Sequence, residues 1–274
     1  MGGVFMSSST LALNLPKGIF VSGNGPAIVF LHSSLSSSRQ WFPLVKQLDA
    51  HFTCINVDIL GYGLADKVSD PENYSFDLEI ARINQALDEV IGDASYHLVG
   101  HSCGGAIALK MAVEAPQRLL SLSLFEPVAF NLLPAGSDQR HVADEFAERV
   151  DLQDNYAAAE VFTDFWNMKG FFKSLPPKMQ ALMANDMPKV TLDFKGLVSP
   201  TYTLADVANI AAPTLFLSGK YSPQLSHSLA EQIIGSLPNV KSVEVDAGHM
   251  APVSHGELVL PKIADFILQN AKNY

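Results

Sequence analysis

The chain has 274 residues, of which 48% are hydrophobic and 17% charged, a composition typical of a soluble globular protein with a substantial interior. Its formal net charge is −10, from 18 basic and 28 acidic side chains, which argues against nucleic acid as a partner because neutralising phosphates requires a basic face. No apolar run approaches the roughly 18 residues that cross a bilayer, so we expect no membrane insertion.

The N-terminus and the cysteines limit the compartment and the cofactors. The first residues, Met-Gly-Gly-Val-Phe-Met-Ser-Ser-Ser, lack the basic start and the long apolar segment of a secretory signal, which predicts a cytoplasmic protein. Two cysteines, Cys54 and Cys103, are too few for a disulfide framework or a metal-ligand set. We expect no metal and no cofactor, and the oligomeric state stays open.

Strand and helix patterns alternate through most of the chain. A serine-rich lead-in over 1–17 and an edge strand near Phe20 come first. Further strands are predicted over 27–31, 52–57, 96–99, 119–125, 213–219 and 240–245. Helices are predicted over 39–48, 76–91, 103–115, 226–237 and 257–269. This alternation predicts an α/β fold with a mostly parallel central sheet and helices on both faces.

The alternation stops between residues 128 and 209. Only helical patterns occur there, and the prolines at positions 134, 176, 177, 188 and 200 are expected to break them. We interpret this block as a helical cap over the carboxyl edge of the sheet, where sites form in such folds. The α/β core is then formed by residues 1–127 and 210–274.

A serine stands at the apex of a predicted strand-to-helix turn. The strand leads into Gly-His-Ser-Cys-Gly at 100–104, and a run of small and apolar residues follows at once. Glycines two before and two after Ser102 are what such a turn needs, because strand and helix close on each other without room for a Cβ atom. This pattern predicts a nucleophile elbow, a sharp turn that presents a reactive side chain at its apex.

With these residues placed, the chain resembles the α/β-hydrolase superfamily, of the capped serine esterase type, over nearly its whole length. Four segments match in the family's order. They are Leu-His at 31–32, Asp-x-x-Gly-x-Gly at 58–63, Gly-His-Ser-x-Gly-Gly at 100–105, and Gly-His-Met-Ala-Pro at 248–252. The joint match is far more specific than any one segment.

The resemblance implies that Ser102 is the nucleophile and His249 its base. A serine hydroxyl needs such a base to attack a carbonyl at neutral pH. The oxyanion that forms would be bound by backbone N–H groups of Cys103 and of Ser34, the third residue of the loop after the first buried strand. Relatives have glycine where this chain has Ser33. We expect structural roles for His101 and His32, the latter bracing the oxyanion loop.

The expected acid is missing from its usual place. Relatives usually carry an aspartate three residues after the glycine that ends the penultimate strand, and here that residue is Ser222. Serine cannot hold a negative charge beside an imidazolium, so another residue must supply the acid or there is none. Glu126, at the end of the strand after the elbow helix, is the substitute that some superfamily members suggest. Asp246 is too near His249 in sequence, and Asp58 is interpreted as a turn residue.

Aromatic residues in the cap suggest a hydrophobic substrate. Phe162, Phe165 and Trp166 recur at helical spacing and, with Met250, are the predicted pocket residues, although residues in such a stripe more often form the core of the cap than the wall of a pocket. The segment 138–166 holds eight acidic and two basic side chains, which would repel polyanions.

Three functions are consistent with these patterns. The first is a serine hydrolase that cleaves a hydrophobic carboxylic ester without a cofactor. The second is a hydrolase of C–C bonds in vinylogous diketones, of the meta-cleavage-product type. For these two functions the expected partner is a small hydrophobic ester or ketone substrate. The third is a ligand-binding receptor or pseudoenzyme, favoured by the missing aspartate. Dehalogenase and epoxide hydrolase chemistry would need a carboxylate at position 102.

Overall fold

Seven strands form one sheet in the computed structural model, which describes residues 13–271. They are β1 (Ile19–Ser22), β2 (Ala27–Leu31), β3 (Thr53–Val57), β4 (Tyr96–His101), β5 (Leu119–Phe125), β6 (Thr214–Gly219) and β7 (Val240–Val245). Their spatial order is β1-β3-β2-β4-β5-β6-β7. The β1–β3 pair is antiparallel and every other pair is parallel, which confirms the predicted fold class.

The central strands are buried on both faces, and for this reason their sequences are mostly apolar. Every residue of β2, β4, β5 and β6 is buried, whereas the edge strand β7 is largely open to solvent. Within β2 the side chains alternate between two cores, with Val29 and Leu31 in one and Ile28 and Phe30 in the other. The sheet thus separates two helical layers.

Eleven α-helices lie within the described residues. They are α1 (Phe42–Leu48), α2 (Phe76–Ile91), α3 (Cys103–Glu114), α4 (Asp138–Val150), α5 (Asn155–Trp166), α6 (Phe171–Ser174), α7 (Pro177–Val198), α8 (Leu204–Val207), α9 (Gln224–Ser236), α10 (Ala251–Ser254) and α11 (Gly256–Ala271). Helices α1 and α11 cover one face of the sheet, and α2, α3 and α9 cover the other. The helix predicted from residue 39 begins as a 3₁₀ turn and becomes α-helical at Phe42.

Helices α4 to α8 occupy the block between β5 and β6, and no strand occurs in residues 128–209, all of which the structure describes. We call this block the cap segment. Its apolar residues join the core that covers the α2 and α3 face of the sheet, so it packs directly on the rest of the chain.

The predicted break at Pro188 is wrong, because α7 continues through this residue. A proline inside a helix removes a hydrogen bond and crowds the preceding turn, at a cost of about 3 kcal/mol. Burial of Met187, Val190, Phe194 and Leu197 on one face of α7 offsets that cost.

Candidate active site

Ser102 lies at the apex of the turn between β4 and α3 with φ +56°, in the region that non-glycine residues avoid. The flanking glycines, Gly100 and Gly104, let the backbone segments at the turn approach each other closely. A Cβ at Gly100 would lie 2.6 Å from the Gly104 carbonyl oxygen, and one at Gly104 would overlap the His32 carbonyl oxygen. The strain at Ser102 is held by the packed strand and helix on either side of it.

His249 joins Ser102 to Glu126 by hydrogen bonds across three strand ends. It lies in the loop between β7 and α10, and its Nε2 is 2.9 Å from the Ser102 Oγ. Its Nδ1 is 2.6 Å from the Glu126 Oε2. All three side chains are buried. With Nδ1–H donating to the carboxylate, Nε2 is free to accept the serine proton, the arrangement that nucleophilic serine chemistry uses.

Glu126 is oriented by the strand beside it. It follows β5 directly, has φ +41°, and its Oε1 accepts a 2.7 Å hydrogen bond from the N–H of Gly219, the last residue of β6. The remaining carboxylate oxygen therefore faces His249. The Ser222 Oγ has no hydrogen-bond partner among the described residues. Asp246 instead accepts hydrogen bonds from Tyr221 and Lys220 on the exposed surface.

The N–H groups of Ser34 and Cys103 are expected to bind an oxyanion. Neither donates to a protein acceptor within residues 13–271. The departure from glycine at Ser33 is accommodated, because its N–H and hydroxyl both donate to the Gln40 Oε1, at 3.2 and 3.1 Å. The Cys103 thiol is buried, and burial raises its pKa well above the usual range, so it stays protonated.

His32 braces this loop. Its Nδ1–H donates to the Ser33 carbonyl oxygen at 2.7 Å, and its Nε2 accepts from the Ile59 N–H at 3.0 Å. Burial lowers the pKa of His32 to about 4, so the ring is neutral and can make both bonds. The loops after β2 and β3 are thereby fixed to each other.

His101 supports His249 from behind. Its Nε2–H donates to the His249 carbonyl oxygen at 2.9 Å, and the two ring centroids lie 5.3 Å apart. Burial, reinforced by the neighbouring His249, lowers the pKa of His101 well below its usual value.

Asp58 accepts from the N–H groups of Ser38 and Leu64 and so shapes the turn after β3.

One cavity borders Ser102 and a second borders the Ser34 loop beside it, and three of the four predicted pocket residues line them. The inner one, about 10 Å³, includes Ser102, Phe162 and Trp166 in its wall. The outer one, about 270 Å³, shares Phe162 and Trp166 and adds Met250. Phe165 lines neither, because it borders a separate cavity beside Phe146, on which it stacks with ring centroids 4.0 Å apart.

The cap segment makes two contacts with the site, and the sequence predicted neither contact. Trp166 stacks on His249 with ring centroids 4.1 Å apart and planes at 27°. Asp193 of α7 lines the inner cavity and accepts a 2.6 Å hydrogen bond from the Ser34 hydroxyl. The available signal was the pair Lys189 and Asp193, spaced by four residues beside the apolar stripe of α7.

This strand, elbow and histidine architecture is that of a hydrolytic enzyme, and a profile of the alpha/beta hydrolase family matches residues 28–261. The chain belongs to that family. No helix among the described residues is both long and apolar enough to span a membrane.

Curated relatives with similar sequences include esterases, a lipase, a dehalogenase and an acetyltransferase component. A pimeloyl-[acyl-carrier protein] methyl ester esterase from Legionella pneumophila is 26% identical over 89% of this chain and 96% of its own length. A monoacylglycerol lipase from Xenopus laevis is 25% identical over 92% of this chain and 79% of its own. A fluoroacetate dehalogenase from a Burkholderia species is 33% identical, but the match covers only 39% of this chain and 36% of the dehalogenase.

Solved structures share the fold at low sequence identity. The chain is similar to an esterase from Thermogutta terrifontis, with a TM-score of 0.75 at 20% identity over 93% of this chain and 94% of that one. It is also similar to an enol-lactonase from Burkholderia xenovorans, with a TM-score of 0.73 at 19% identity over 92% and 96%.

Proposed function

We propose that the protein is a serine hydrolase that needs no cofactor and cleaves a carboxylic ester of a small or medium hydrophobic substrate through an acyl-enzyme. The observation that carries this proposal is the unbroken chain of hydrogen bonds from the Ser102 Oγ through His249 to Glu126, at 2.9 and 2.6 Å. The esterase and lipase names of the full-length relatives support ester substrates.

In the proposed first step the Ser102 Oγ attacks the ester carbonyl carbon while its proton passes to the His249 Nε2. The carbonyl oxygen becomes an oxyanion and accepts hydrogen bonds from the Ser34 and Cys103 N–H groups. Glu126 keeps the imidazole in the correct tautomer and stabilises the imidazolium. His249 then returns the proton to the leaving alkoxide, the C–O bond breaks, and an alcohol departs.

The second step regenerates the enzyme. A water molecule gives its proton to the His249 Nε2 and attacks the acyl carbon, and the same two N–H groups bind the new oxyanion. Collapse of this intermediate returns the proton to the Ser102 Oγ and releases a carboxylic acid. The seryl ester in this scheme requires a hydroxyl nucleophile, whereas dehalogenase chemistry requires a carboxylate at position 102.

The cavity walls support a hydrophobic substrate. The inner cavity is lined largely by aromatic and aliphatic side chains of the cap segment and the β5 loop, and the outer cavity adds three methionines. Such walls favour an apolar acyl or alcohol group. The acidic residues of 138–166 disfavour polyanionic substrates such as coenzyme A thioesters, provided that this face borders the entrance.

The test is hydrolysis of p-nitrophenyl esters from acetate to decanoate, beside a vinylogous diketone, together with covalent labelling by a small fluorophosphonate read by intact mass. We expect ester turnover and one added label, both absent in Ser102→Ala. Preferred cleavage of the diketone would indicate a C–C bond hydrolase in place of an esterase. Absence of both turnover and label, with the probe shown to reach the pocket, would indicate a binding protein.

A further inference from the structure

A buried charged cluster joins the cap segment to the core next to the inner cavity. Lys189 and Asp193, one turn apart on α7, form an ion pair in which their side chains are only 7% and 1% exposed. Glu79 of α2 lies 3.8 Å from the Lys189 Nζ and is fully buried. Burying charges is costly even when they are paired, and the reaction described above uses none of the three.

Asp193 holds two core loops with one carboxylate oxygen. Its Oδ2 accepts from the Ser34 hydroxyl and from the Tyr62 hydroxyl, each at 2.6 Å. Ser34 lies in the loop after β2 and Tyr62 in the loop after β3. The other oxygen, Oδ1, receives Lys189, whose Nζ also donates to the Tyr74 hydroxyl at 2.9 Å.

The loop that Asp193 holds is strained. Leu35, the residue after Ser34, has φ +55°, a conformation that costs a non-glycine residue on the order of 1 kcal/mol. Such strain persists only where surrounding contacts fix the backbone. The Ser34 hydroxyl contributes one such contact through its hydrogen bond to α7, while the Ser34 N–H stays without a protein acceptor among residues 13–271.

Lys189 explains how a carboxylate can lie beside an oxyanion site. Asp193 and Ser102 line the same inner cavity, so an unpaired carboxylate there would repel the negative charge that develops on the substrate. Burial alone would lower the pKa of Lys189, but the charges of Asp193 and Glu79 raise it above its usual value, so the ammonium stays charged. The ion pair therefore presents hydrogen-bond acceptors with little net charge.

We propose that Asp193 is a positioning residue that completes the oxyanion hole from the cap segment, by holding Ser34 so that its backbone N–H faces the substrate oxygen. This role rests on the proposed serine hydrolase function. Because Asp193 lies on α7, the oxyanion hole is complete only when α7 is packed on the core. Asp193 acts through Ser34 and does not itself touch the reacting atoms.

Ser34→Ala is the sharpest test, because it removes the hydroxyl that Asp193 holds and keeps the backbone N–H. Loss of a whole oxyanion donor costs about 10²- to 10³-fold in kcat. A loop that is loosened retains part of that donor, so we expect kcat for a p-nitrophenyl ester to fall about 10- to 100-fold with KM nearly unchanged. Binding of an alkyl boronic acid, whose serine adduct places an oxygen in the hole, should weaken by a similar factor.

Tyr62→Phe is the matched control, since it removes the other hydroxyl from the same Asp193 oxygen without altering the Ser34 loop. It should lower thermal stability and leave kcat within about two-fold of the native value. Asp193→Asn weakens the same hydrogen bond and also removes the charge that pairs with Lys189, so it should reduce kcat at least as much as Ser34→Ala and lower stability as well. Adding Ser34→Ala to Asp193→Asn should reduce kcat little further, because the Ser34–Asp193 interaction is already weakened.

The outcomes separate this role from the function on which it rests. A native protein that neither cleaves esters nor takes the fluorophosphonate label would overturn both. An active native enzyme whose kcat and boronate affinity survive Ser34→Ala would overturn the positioning role alone. So would equal losses in Ser34→Ala and Tyr62→Phe, since that pattern indicates general destabilisation. If Asp193→Asn fails to fold, Ser34→Ala and Tyr62→Phe still decide the question.

Discussion

The core and the cap segment supply the candidate site in different ways. The core places Ser102 and Glu126 at the ends of β4 and β5, where their N–H groups donate to the Phe125 and Leu217 carbonyl oxygens, and it places His249 in the loop after β7. The cap segment places Trp166 and Asp193 on helix faces, and they contact His249 and Ser34. The proposed reacting groups therefore come from the strands and loops of the core, whereas the helices of the cap segment contact the residues that hold them. Substitutions in the two regions should differ in effect by orders of magnitude.

The largest effect is expected at the elbow. Ser102→Ala removes the nucleophile and should lower kcat by about 10⁶-fold, the scale seen when a protease loses its serine. Ester turnover and a melting curve measure activity and folding together. Residual turnover near the native rate in a folded variant would contradict the assignment of Ser102.

Ser102→Gly is its matched partner and separates strain from chemistry. Both variants lack the hydroxyl, but only glycine adopts φ +56° without a steric penalty. Relief of about 1–3 kcal/mol of strain exceeds the roughly 0.4–1 kcal/mol that glycine adds to the unfolded-state entropy. We expect the free energy of unfolding, measured in urea, to be about 1 kcal/mol higher for the glycine variant than for the alanine variant. The reverse order would mean that the elbow is unstrained.

The next largest effect tests which strand end supplies the acid. Glu126→Gln keeps an oxygen for the Gly219 N–H but presents an amide to His249, which disfavours the productive tautomer, so kcat should fall about 10⁴-fold. The rate of fluorophosphonate labelling should fall in parallel.

Ser222→Asp in the Glu126→Gln background asks whether the end of β6 can serve instead. Partial recovery would show that an aspartate there reaches His249. Equal labelling rates in the native protein and in Glu126→Gln would mean that Glu126 has only a structural role.

A smaller effect is expected from the cap segment. Trp166→Leu removes the ring that stacks on His249 and should lower kcat/KM about 10-fold by loosening the orientation of the base. Phe165→Leu changes the adjacent aromatic residue of α5, which faces Phe146, and should cost stability but little activity. Equal effects of the two changes on kcat/KM would show that the helix as a whole, and not the stack, matters.

The smallest effect on activity is expected at His97, which lies in β4 away from the serine. Burial lowers its pKa to about 4, so between pH 6.5 and 4 the unfolded chain binds a proton that the folded protein does not. The free energy of unfolding therefore falls as the pH falls through this range, by about 3 kcal/mol for this residue. In His97→Leu that acid-induced loss should shrink by the same amount, measured by urea unfolding at pH 7, 5.5 and 4. An unchanged pH dependence would contradict a neutral buried histidine.

Much of the fold could be predicted because its signals are local. The continuously apolar run of β2 and the leucine-rich run of β5 predict buried parallel strands, and Gly92, with φ +56°, ends α2 where the sequence placed the stop. Pro188 misled because the penalty of one proline is local, whereas the burial that outweighs it comes from the core across α7. Phe165 misled because helical spacing does not say which side of a helix faces a cavity.

The sequence by itself determined the family, the sheet and the turn that carries Ser102, since these depend on short patterns of glycine, apolar and β-branched residues. It also made Glu126 the proposed acid, because Ser222 stands where relatives usually have an aspartate. Only the tertiary structure decided that Glu126 reaches His249, that Trp166 covers the imidazole, and that Asp193 holds Ser34. These contacts join residues 83 to 159 positions apart. Their distances depend on how strands and helices pack in three dimensions, which no local pattern records.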